Sequence, residues 1–324
     1  DHEHSCGYHY TPKDFFREHP DELDSFRQEW KPQAVTPKKP VSPPSFIDSA
    51  VMQHSLSHYD INPLYTFLSD TIGRSNTERL FKLYRVGTSK KWNGSAVFWQ
   101  VDSNGQVHTG KIMGYDAKTG HRLKVPHPHV CWVHTELRLP GFNLCQCFFG
   151  EHLLVRYPDK TVFIVESEKT ALIAAHFMPD GLWLATGGKN GCFNANSLSV
   201  LAGRSVVLFP DLGATDYWQS KISLMKSYGI NVQLFDYLEA KATENERKEG
   251  YDIADYHPLL RKGFGLCLHF SRDLGGLHGS VFRFFLLFDV SERGFRDLGN
   301  HLARLKSRFR GLGRHFTRLK SHFR

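Results

Sequence analysis

The chain has 324 residues, of which 40% are hydrophobic and 13% aromatic, enough for the cores of two domains of ordinary size. It has no long apolar run and no signal peptide, which excludes a membrane-spanning helix and predicts a cytoplasmic protein. The net charge of +8 lies entirely in residues 291–324, where ten Lys or Arg face two acidic residues, so the basic isoelectric point does not indicate that residues 1–290 bind nucleic acid.

The first ten residues carry metal-ligating side chains at zinc-like spacing: His2, His4, Cys6 and His9. A structural zinc ion needs four ligands in tetrahedral geometry, usually from two separate turns of the chain. The segment therefore predicts either half of a zinc site or a frayed terminus. The six cysteines of the chain stand at irregular positions, which favours reduced thiols over a disulfide framework.

A short helix is predicted after Thr11, which suits a helix cap, with Pro12 in the first turn and a second helix start at Pro20. Residues 31–44 are rich in proline and charge, which indicates an extended linker. We place a domain boundary at residue 44.

Residues 45–156 predict a smaller α+β domain. Apolar spacing indicates helices over residues 46–56 and 62–73, with a further turn over 75–83. Alternating residues on both sides of Asn104 and Gly105 predict a β-hairpin over 95–113. Residues 129–134 and a segment around 142–150 are expected to form a second strand pair.

This domain also holds candidate binding residues. Aromatic residues in strands are usually core, and the alternative is a stacking surface for single-stranded nucleic acid. That surface would combine Phe98, Trp99 and Trp132 with Arg85, Lys90, Lys91 and Lys111. A second set, Cys131, His134, Cys145 and Cys147, indicates buried thiols or a metal site without a C-x-x-C pair.

Residues 157–262 predict an α/β domain with a doubly wound parallel sheet. Four apolar runs, at 162–165, 181–187, 205–211 and 231–238, alternate with amphipathic segments. Glu166 and Asp211 stand at the carboxyl ends of the first and third runs, where ligands gather in open α/β sheets. We expect both carboxylates at one edge of the sheet, as catalytic residues and ligands of a cation.

Phosphate-binding residues are predicted in the strand-to-helix loops of the same domain. Gly187 and Gly188 let the backbone approach a phosphate, and Lys169 and Lys189 stand where backbone amides also point at anions. Glu168 begins a helix, where it complements the helix dipole. Residues 241–250 have no apolar face and indicate a solvated loop or helix end.

Residues 263–324 predict a basic repetitive tail. Residues 298–310 recur as 312–324, and Leu and Phe from 295 to 323 alternate spacings of three and four. This pattern indicates a basic amphipathic helix that binds nucleic acid, an anionic membrane or a partner helix, weakened by four glycines. The alternative is an extension without selected function.

Several of these motifs together resemble the toprim domain of primases and topoisomerases. The stretch VESEKTA at 165–171 is similar to the V-E-G-E-K-x-A opening of the primase-like branch, and ATGGKNG, LFPDLGA and GYDIADY follow in the expected order. Over residues 6–257 the chain resembles an uncharacterised toprim-like family of bacterial mobile elements. The resemblance implies a Mg²⁺ site at Glu166 and Asp211 near a nucleic-acid phosphodiester, with Asp252 and Asp255 returning to it. It also implies that residues 1–10 are the second knuckle of a zinc ribbon.

One departure from the toprim pattern leaves two functions open. Toprim enzymes usually carry D-x-D after the third strand, whereas Leu212 and Gly213 follow Asp211 here. Asp216, Asp252 or Asp255 could replace the missing carboxylate, since Mg²⁺ needs only one or two carboxylates with water and substrate oxygens. The first hypothesis is a primase-associated, Mg²⁺-dependent nucleotidyltransferase or nuclease that works on DNA or RNA with other replication proteins. The second is a non-catalytic nucleic-acid-binding module.

Overall fold

The computed structural model describes residues 12–22 and 43–256, together with the backbone of residues 266–272 and 282–288. Residues 1–43 form one compact unit and residues 44–324 another. In the first unit, helix α1 (Pro12–Glu18) begins at the expected proline. The predicted zinc ligands His2, His4, Cys6 and His9, and the linker up to residue 42, lie outside the described residues.

The second unit begins with three helices: α2 (Ser49–Ser55), α3 (Pro63–Ile72) and α4 (Arg74–Tyr84). The start of α3 follows from its sequence, because the Asn62 side chain accepts hydrogen bonds from two backbone N–H groups of the first turn and a proline follows it. The expectation of a single turn over residues 75–83 is wrong. They belong to the eleven-residue helix α4, which is stabilised because Leu80, Phe81 and Tyr84 bury one of its faces.

An antiparallel sheet follows, with strand order β1-β2-β3-β4. Its strands are β1 (Val86–Ser89), β2 (Ser95–Val101), β3 (Val107–Met113) and β4 (Val130–Trp132), and the short helix α5 (Val133–Glu136) comes next. The predicted hairpin is confirmed as β2 and β3. The Asp102 carboxylate fixes its turn by accepting the backbone N–H groups of Asn104 at 2.9 Å and Gln106 at 2.8 Å.

The second predicted strand pair is wrong. Strand β4 pairs with β3, where Trp132 lies opposite Lys111, and residues 143–148 form no strand. Backbone groups of that segment have other partners: Asn143 exchanges hydrogen bonds with Ser45 at 2.9 and 3.0 Å. Phe149 alone forms an isolated bridge, to Ala185.

A second sheet confirms the predicted α/β arrangement with parallel strands. It contains β5 (Val162–Val165), β6 (Leu182–Ala185), β7 (Ser205–Leu208) and β8 (Asn231–Leu234), in the order β6-β5-β7-β8. All neighbours are parallel, and the strand order changes direction at β5. The helices of this region are α6 (Glu168–Phe177), α7 (Ala195–Ser199), α8 (Thr215–Gln219), α9 (Ile222–Ser227), α10 (Tyr237–Lys241) and α11 (Glu244–Glu249).

Several boundaries in this region differ from those expected. Strands β6 and β7 end at Ala185 and Leu208, earlier than the predicted residues 187 and 211. Strand β8 ends at Leu234, because residues from Tyr237 onward turn into α10. Residues 244–249 form a helix of their own, since Thr243 and Glu246 make a capping box and Glu246 is buried. This helix was not expected because its sequence is charged and has no apolar stripe, and it is stabilised by local capping.

One hydrophobic core joins the two sheets. This core contains Phe98 of β2, Tyr84 of α4 and Phe149, and these residues belong to the same cluster as the buried residues of strands β5 to β7. Tyr84 donates a hydrogen bond of 3.0 Å to the Trp183 carbonyl, so α4 packs against the parallel sheet. The predicted limits 45–156 and 157–262 stay predictions. Among residues 12–22 and 43–256 there is no helix with the length and apolarity that a bilayer crossing requires.

Beyond residue 256 the described backbone forms an antiparallel hairpin of β9 (Leu266–Arg272) and β10 (Phe282–Phe288). We did not expect these strands within the tail. The repeats at 298–310 and 312–324 lie outside the described residues, so the amphipathic helix stays a prediction.

Candidate functional site

The candidate site lies where the parallel sheet changes direction. Strands β5 and β7 are adjacent, with Ile164 opposite Leu208, and Glu166 follows β5 directly. Asp211 comes three residues after β7, and its segment stays beside β5 because the Phe209 N–H donates to the Ile164 carbonyl at 2.8 Å. Both carboxylates therefore lie at the carboxyl edge between the two central strands, where open α/β sheets form their binding crevice.

Each of these carboxylates has a buried oxygen without a hydrogen-bond partner in the described part of the chain: Oε1 of Glu166 and Oδ1 of Asp211. Burial raises the pKa of Glu166, and a hydrogen bond from the Asp211 backbone and the charge of Lys189 partly offset the rise. Burial also raises the pKa of Asp211 well above its ordinary value of 3.8, and the charges of Asp252, Glu166 and Asp255 add to the rise. Burial and mutual repulsion thus disfavour the charged forms of these carboxyl groups, and the nearby positive charges offset this only in part.

The acidic segment near residue 252 returns to this edge. The Leu212 N–H donates to the Tyr251 carbonyl at 2.9 Å, which places the segment beside Asp211. Asp252 is held by Thr170 of α6, whose hydroxyl donates to Oδ2, while the Ala254 N–H donates to Oδ1 at 2.8 Å. The Asp252 N–H in turn donates to Asp255 Oδ2 at 2.9 Å. Asp252 therefore orders its own loop, and its charge raises the pKa of Asp211.

The donor set fits a hard divalent cation. Mg²⁺ takes oxygen ligands and commonly uses one or two protein carboxylates, with water and phosphate oxygens in the other positions. Glu166 and Asp211 supply two such oxygens in a buried setting. Within residues 12–22 and 43–256, no group of three or more Asp, Glu, His or Cys is arranged as a metal site. Asp216, which we considered as a replacement ligand, is exposed on α8.

The glycine loop predicted to bind phosphate follows β6. Gly187 has φ of 78° and Gly188 has φ of 149°, so the loop uses backbone conformations that other residues rarely adopt. Its Gly187 N–H donates to the Glu166 carbonyl at 3.0 Å, which places the loop next to the carboxylates. Lys189 is exposed, and its Nζ donates to the Gly213 carbonyl at 3.2 Å. Lys169 donates from Nζ to the Gly120 carbonyl at 3.1 Å.

Lys111 and Glu168 form a buried ion pair beside this loop. The Lys111 Nζ lies 3.2 Å from both carboxylate oxygens of Glu168, and the side chains are 10% and 3% exposed. The same Nζ donates to the Gly187 carbonyl at 2.9 Å. Lys111 is therefore not on a stacking surface. Glu168 stands in the first turn of α6 as expected, and it also pairs with this lysine. A lysine of the antiparallel sheet thus holds the glycine loop of the parallel sheet.

Arg122 adds a positive charge from the antiparallel sheet. It lies after β3, in a loop ordered by an isolated bridge to Tyr115 and by the Asp116 carboxylate, which accepts the Thr119 N–H at 2.7 Å. The charge of Arg122 lowers the raised pKa values of Glu166 and Asp211. The guanidinium is exposed and makes no hydrogen bond or ion pair with the described residues.

The other candidate residues of the antiparallel sheet have varied positions. Phe98 and Trp99 are buried in the core, which confirms the core alternative for them, whereas Trp132 is half-buried beside His134. Cys147 is buried, and Cys131 and Cys145 are half-buried free thiols. His134 contacts the Thr109 hydroxyl at 2.8 Å.

Sequence reasoning missed Lys111, Arg122 and Thr170 as parts of the site. One signal was present for Lys111: it interrupts a strand whose neighbours on both faces are small or apolar, and a buried lysine needs a partner. Nothing in the sequence identifies that partner, because Glu168 is 57 residues away. Arg122 and Thr170 carry no comparable signal, since their positions depend on how the sheets pack.

A family model described as "Domain of unknown function (DUF6371)" matches residues 62–212. No curated protein matches the chain.

Solved structures with a similar chain path include the Aquifex aeolicus primase, with its zinc-binding and RNA polymerase domains, at 12% identity and a TM-score of 0.34. That match covers 57% of this chain and 49% of the other, so it spans about half of that structure. The primase fragment of the bacteriophage T7 primase-helicase protein matches at 13% identity and a TM-score of 0.37, over 70% of this chain and 85% of the other. Similarity at this level assigns no activity to the chain.

Proposed function

We propose that the protein is a primase-like enzyme that acts on nucleic-acid phosphodiesters with Mg²⁺ held by Glu166 and Asp211. The observation that carries this proposal is the pair of buried carboxylate oxygens without partners, at the crevice between β5 and β7. The motif order from VESEKTA to GYDIADY, which resembles the primase-like branch of toprim domains, gives the substrate class and the setting in replication of mobile DNA.

In this proposal each residue has a separate task. Bound Mg²⁺ would neutralise charge that develops on phosphoryl oxygens. Glu166 and Asp211 would hold it, while Thr170 keeps Asp252 in position beside them. Asp252 and Asp255 would add negative charge or water-mediated contacts. Gly187 and Gly188, with Lys169 and Lys189, would contact the phosphate backbone, and the buried Lys111 would keep the glycine loop in place.

Nucleotidyl transfer to, and nicking of, single-stranded DNA and RNA in the presence of Mg²⁺ test the proposal. Glu166→Gln keeps the shape of the side chain but removes its charge, so we expect it to reduce the activity by at least about a hundredfold. Asp180→Asn is the matched control, since Asp180 is exposed just before β6, at the other end of the sheet. Equal activity of Glu166→Gln and the wild type would refute the assigned role.

A second candidate function is nucleic-acid binding without catalysis. It is favoured by Leu212 and Gly213, which stand where a D-x-D motif would supply another carboxylate, and by the lack of a group of three metal-ligating residues within the described part of the chain. This function predicts DNA binding that is insensitive to Mg²⁺ and to Glu166→Gln, together with no transfer or nicking. Removal of residues 263–324 would then remove most of the salt dependence, because the net positive charge lies there.

A further inference from the structure

We propose that Arg122 contacts phosphoryl oxygens of the substrate at the Glu166–Asp211 site in addition to Lys169 and Lys189, and that the loop after β3 of the antiparallel sheet supplies this contact. The inference rests on the proposed function and deepens it, since it assigns a residue from outside the parallel sheet to the substrate's phosphates.

The first observation is the position of the loop that carries Arg122. The Gly120 carbonyl, two residues before Arg122, accepts a hydrogen bond from Lys169 Nζ at 3.1 Å. Lys169 lies in the first turn of α6, three residues after Glu166. The loop between β3 and β4 is therefore fastened to the helix that begins at the candidate site.

The second observation is the order within this loop. Gly120 has φ of 66°, and an added Cβ would come within 2.5 Å of the Phe67 ring, so the turn is packed closely against α3. The Asp116 N–H donates to the His121 carbonyl at 2.9 Å, and the Leu123 N–H donates to the Gly114 carbonyl at 3.0 Å. The backbone on both sides of Arg122 is thus held in place, which lowers the entropy lost when the side chain binds a ligand.

The third observation is that the other cations near the site already have partners. Lys111 is buried against Glu168, and Lys169 and Lys189 donate to backbone carbonyls. Arg122 has no such partner among the described residues, and it is exposed two residues after the Gly120 carbonyl that Lys169 binds. An exposed guanidinium in a loop fastened to the helix that follows Glu166 is placed to receive the anion that would accompany a cation at the proposed site.

The chemistry of arginine then identifies the ligand. A guanidinium presents several N–H donors in a plane and binds two phosphate oxygens at once, which an ammonium does not do. With a divalent cation at the carboxylates, the exposed guanidinium of Arg122 would be the group that takes the phosphoryl oxygens of the ligand.

Binding of inorganic tripolyphosphate with Mg²⁺, measured by isothermal titration calorimetry on the full chain, tests the proposal. We expect Arg122→Gln to weaken tripolyphosphate binding by about tenfold and Arg122→Lys to weaken it less. Lys118→Gln is the control, because Lys118 is exposed in the same loop and has no place in the site. We also expect Arg122→Gln to bind Mg²⁺ alone at least as tightly as the wild type, since a repelling charge is removed.

Two results would overturn the proposal: tripolyphosphate binding that is equal in Arg122→Gln and the wild type, or no tripolyphosphate binding by the wild type. If Arg122→Gln only strengthens Mg²⁺ binding, the guanidinium balances the carboxylates and does not bind phosphate. The proposed metal site is measured separately by the effect of Asp211→Asn on Mg²⁺ binding. If Asp211→Asn binds Mg²⁺ as tightly as the wild type does, the metal site is refuted even where the Arg122 contact holds.

Discussion

The ammonium group of Lys111 lies 3.2 Å from both carboxylate oxygens of Glu168, and both side chains are buried. One comes from the antiparallel sheet and the other from the first helix of the parallel sheet. Since the same ammonium also contacts the Gly187 carbonyl at 2.9 Å, this pair joins the two sheets at the glycine loop beside Glu166.

Replacement of Lys111 by methionine is expected to destabilise the protein by about 3 to 5 kcal/mol, because it leaves the Glu168 carboxylate buried without its partner. The double variant Lys111→Met with Glu168→Leu should recover much of this loss, since paired removal leaves no uncompensated charge. Urea unfolding followed by circular dichroism measures both. Lys118→Met, on an exposed lysine after the same strand, is the control. A double variant as unstable as the sum of the single variants would contradict the account.

Without metal, the contribution of Asp211 to the free energy of unfolding should fall as pH rises above about 4. Its folded-state pKa is raised, so its contribution is complete below the unfolded-state value of 3.8 and is lost as pH rises toward the folded-state pKa. Asp211→Asn removes this loss and should increase stability at pH 8 by on the order of 1 to 3 kcal/mol.

Urea unfolding of Asp211→Asn and the wild type from pH 4 to pH 8, with chelator present, checks this pH dependence. Glu151 is buried with its pKa raised to about 7, and it adds to the same slope in both proteins, so the difference reports Asp211 together with the carboxyl groups whose charges act on it. Asp216→Asn, on an exposed carboxylate nearby, should leave the slope unchanged. An Asp211→Asn slope equal to that of the wild type would show that the pKa of Asp211 is not raised by burial and by the neighbouring charges.

Thr170→Val should loosen the segment that carries Asp252. The substitution keeps the shape of Thr170 but removes the hydroxyl that donates to Asp252 Oδ2, at an expected cost of about 1 to 3 kcal/mol. Hydrogen exchange should become faster in residues 251–256 and stay unchanged in β5. Thr71→Val is the control, because the Thr71 hydroxyl only returns to the Phe67 carbonyl of its own helix. Unchanged exchange in residues 251–256 would mean that other contacts hold the segment.

Gly191→Ala should distort the glycine loop. An added Cβ would come within 2.2 Å of the Thr186 carbonyl oxygen, which is backbone and cannot move aside cheaply. We expect a loss of about 2 kcal/mol or more in stability and weaker Mg²⁺ binding, because the loop is bonded to the Glu166 backbone. Gly105→Ala has no atom within 4 Å of the added Cβ and reports the cost of positive φ alone. Equal stability of the two variants would contradict the close packing of the loop.

The parallel sheet was predictable because its strands are short apolar runs that end in acidic or glycine residues. Every residue of the run 162–165 is buried, so this strand could be predicted from its apolar residues without knowledge of the rest of the fold. The same logic placed Glu166 and Asp211 at one edge, since the ends of adjacent parallel strands meet there.

Contacts between distant residues were not predictable. The alternation of β3 shows that Lys111 lies on a strand, but only the packed sheets show that it meets Glu168. Residues 143–148 have a strand-like composition, yet backbone groups of Asn143 and Cys145 form hydrogen bonds with the side chains of Ser45 and His108. Short helices such as Glu244–Glu249 form through a capping box and not through an apolar stripe.

The central claim is that Glu166 and Asp211 share one divalent cation, and titration calorimetry with MgCl₂ on the full chain tests it most directly. The account predicts Mg²⁺ binding by the wild type and by the control Asp216→Asn, with affinity reduced at least about tenfold in both Glu166→Gln and Asp211→Asn. Unchanged affinity in those two variants, or no Mg²⁺ binding by the wild type, would contradict it.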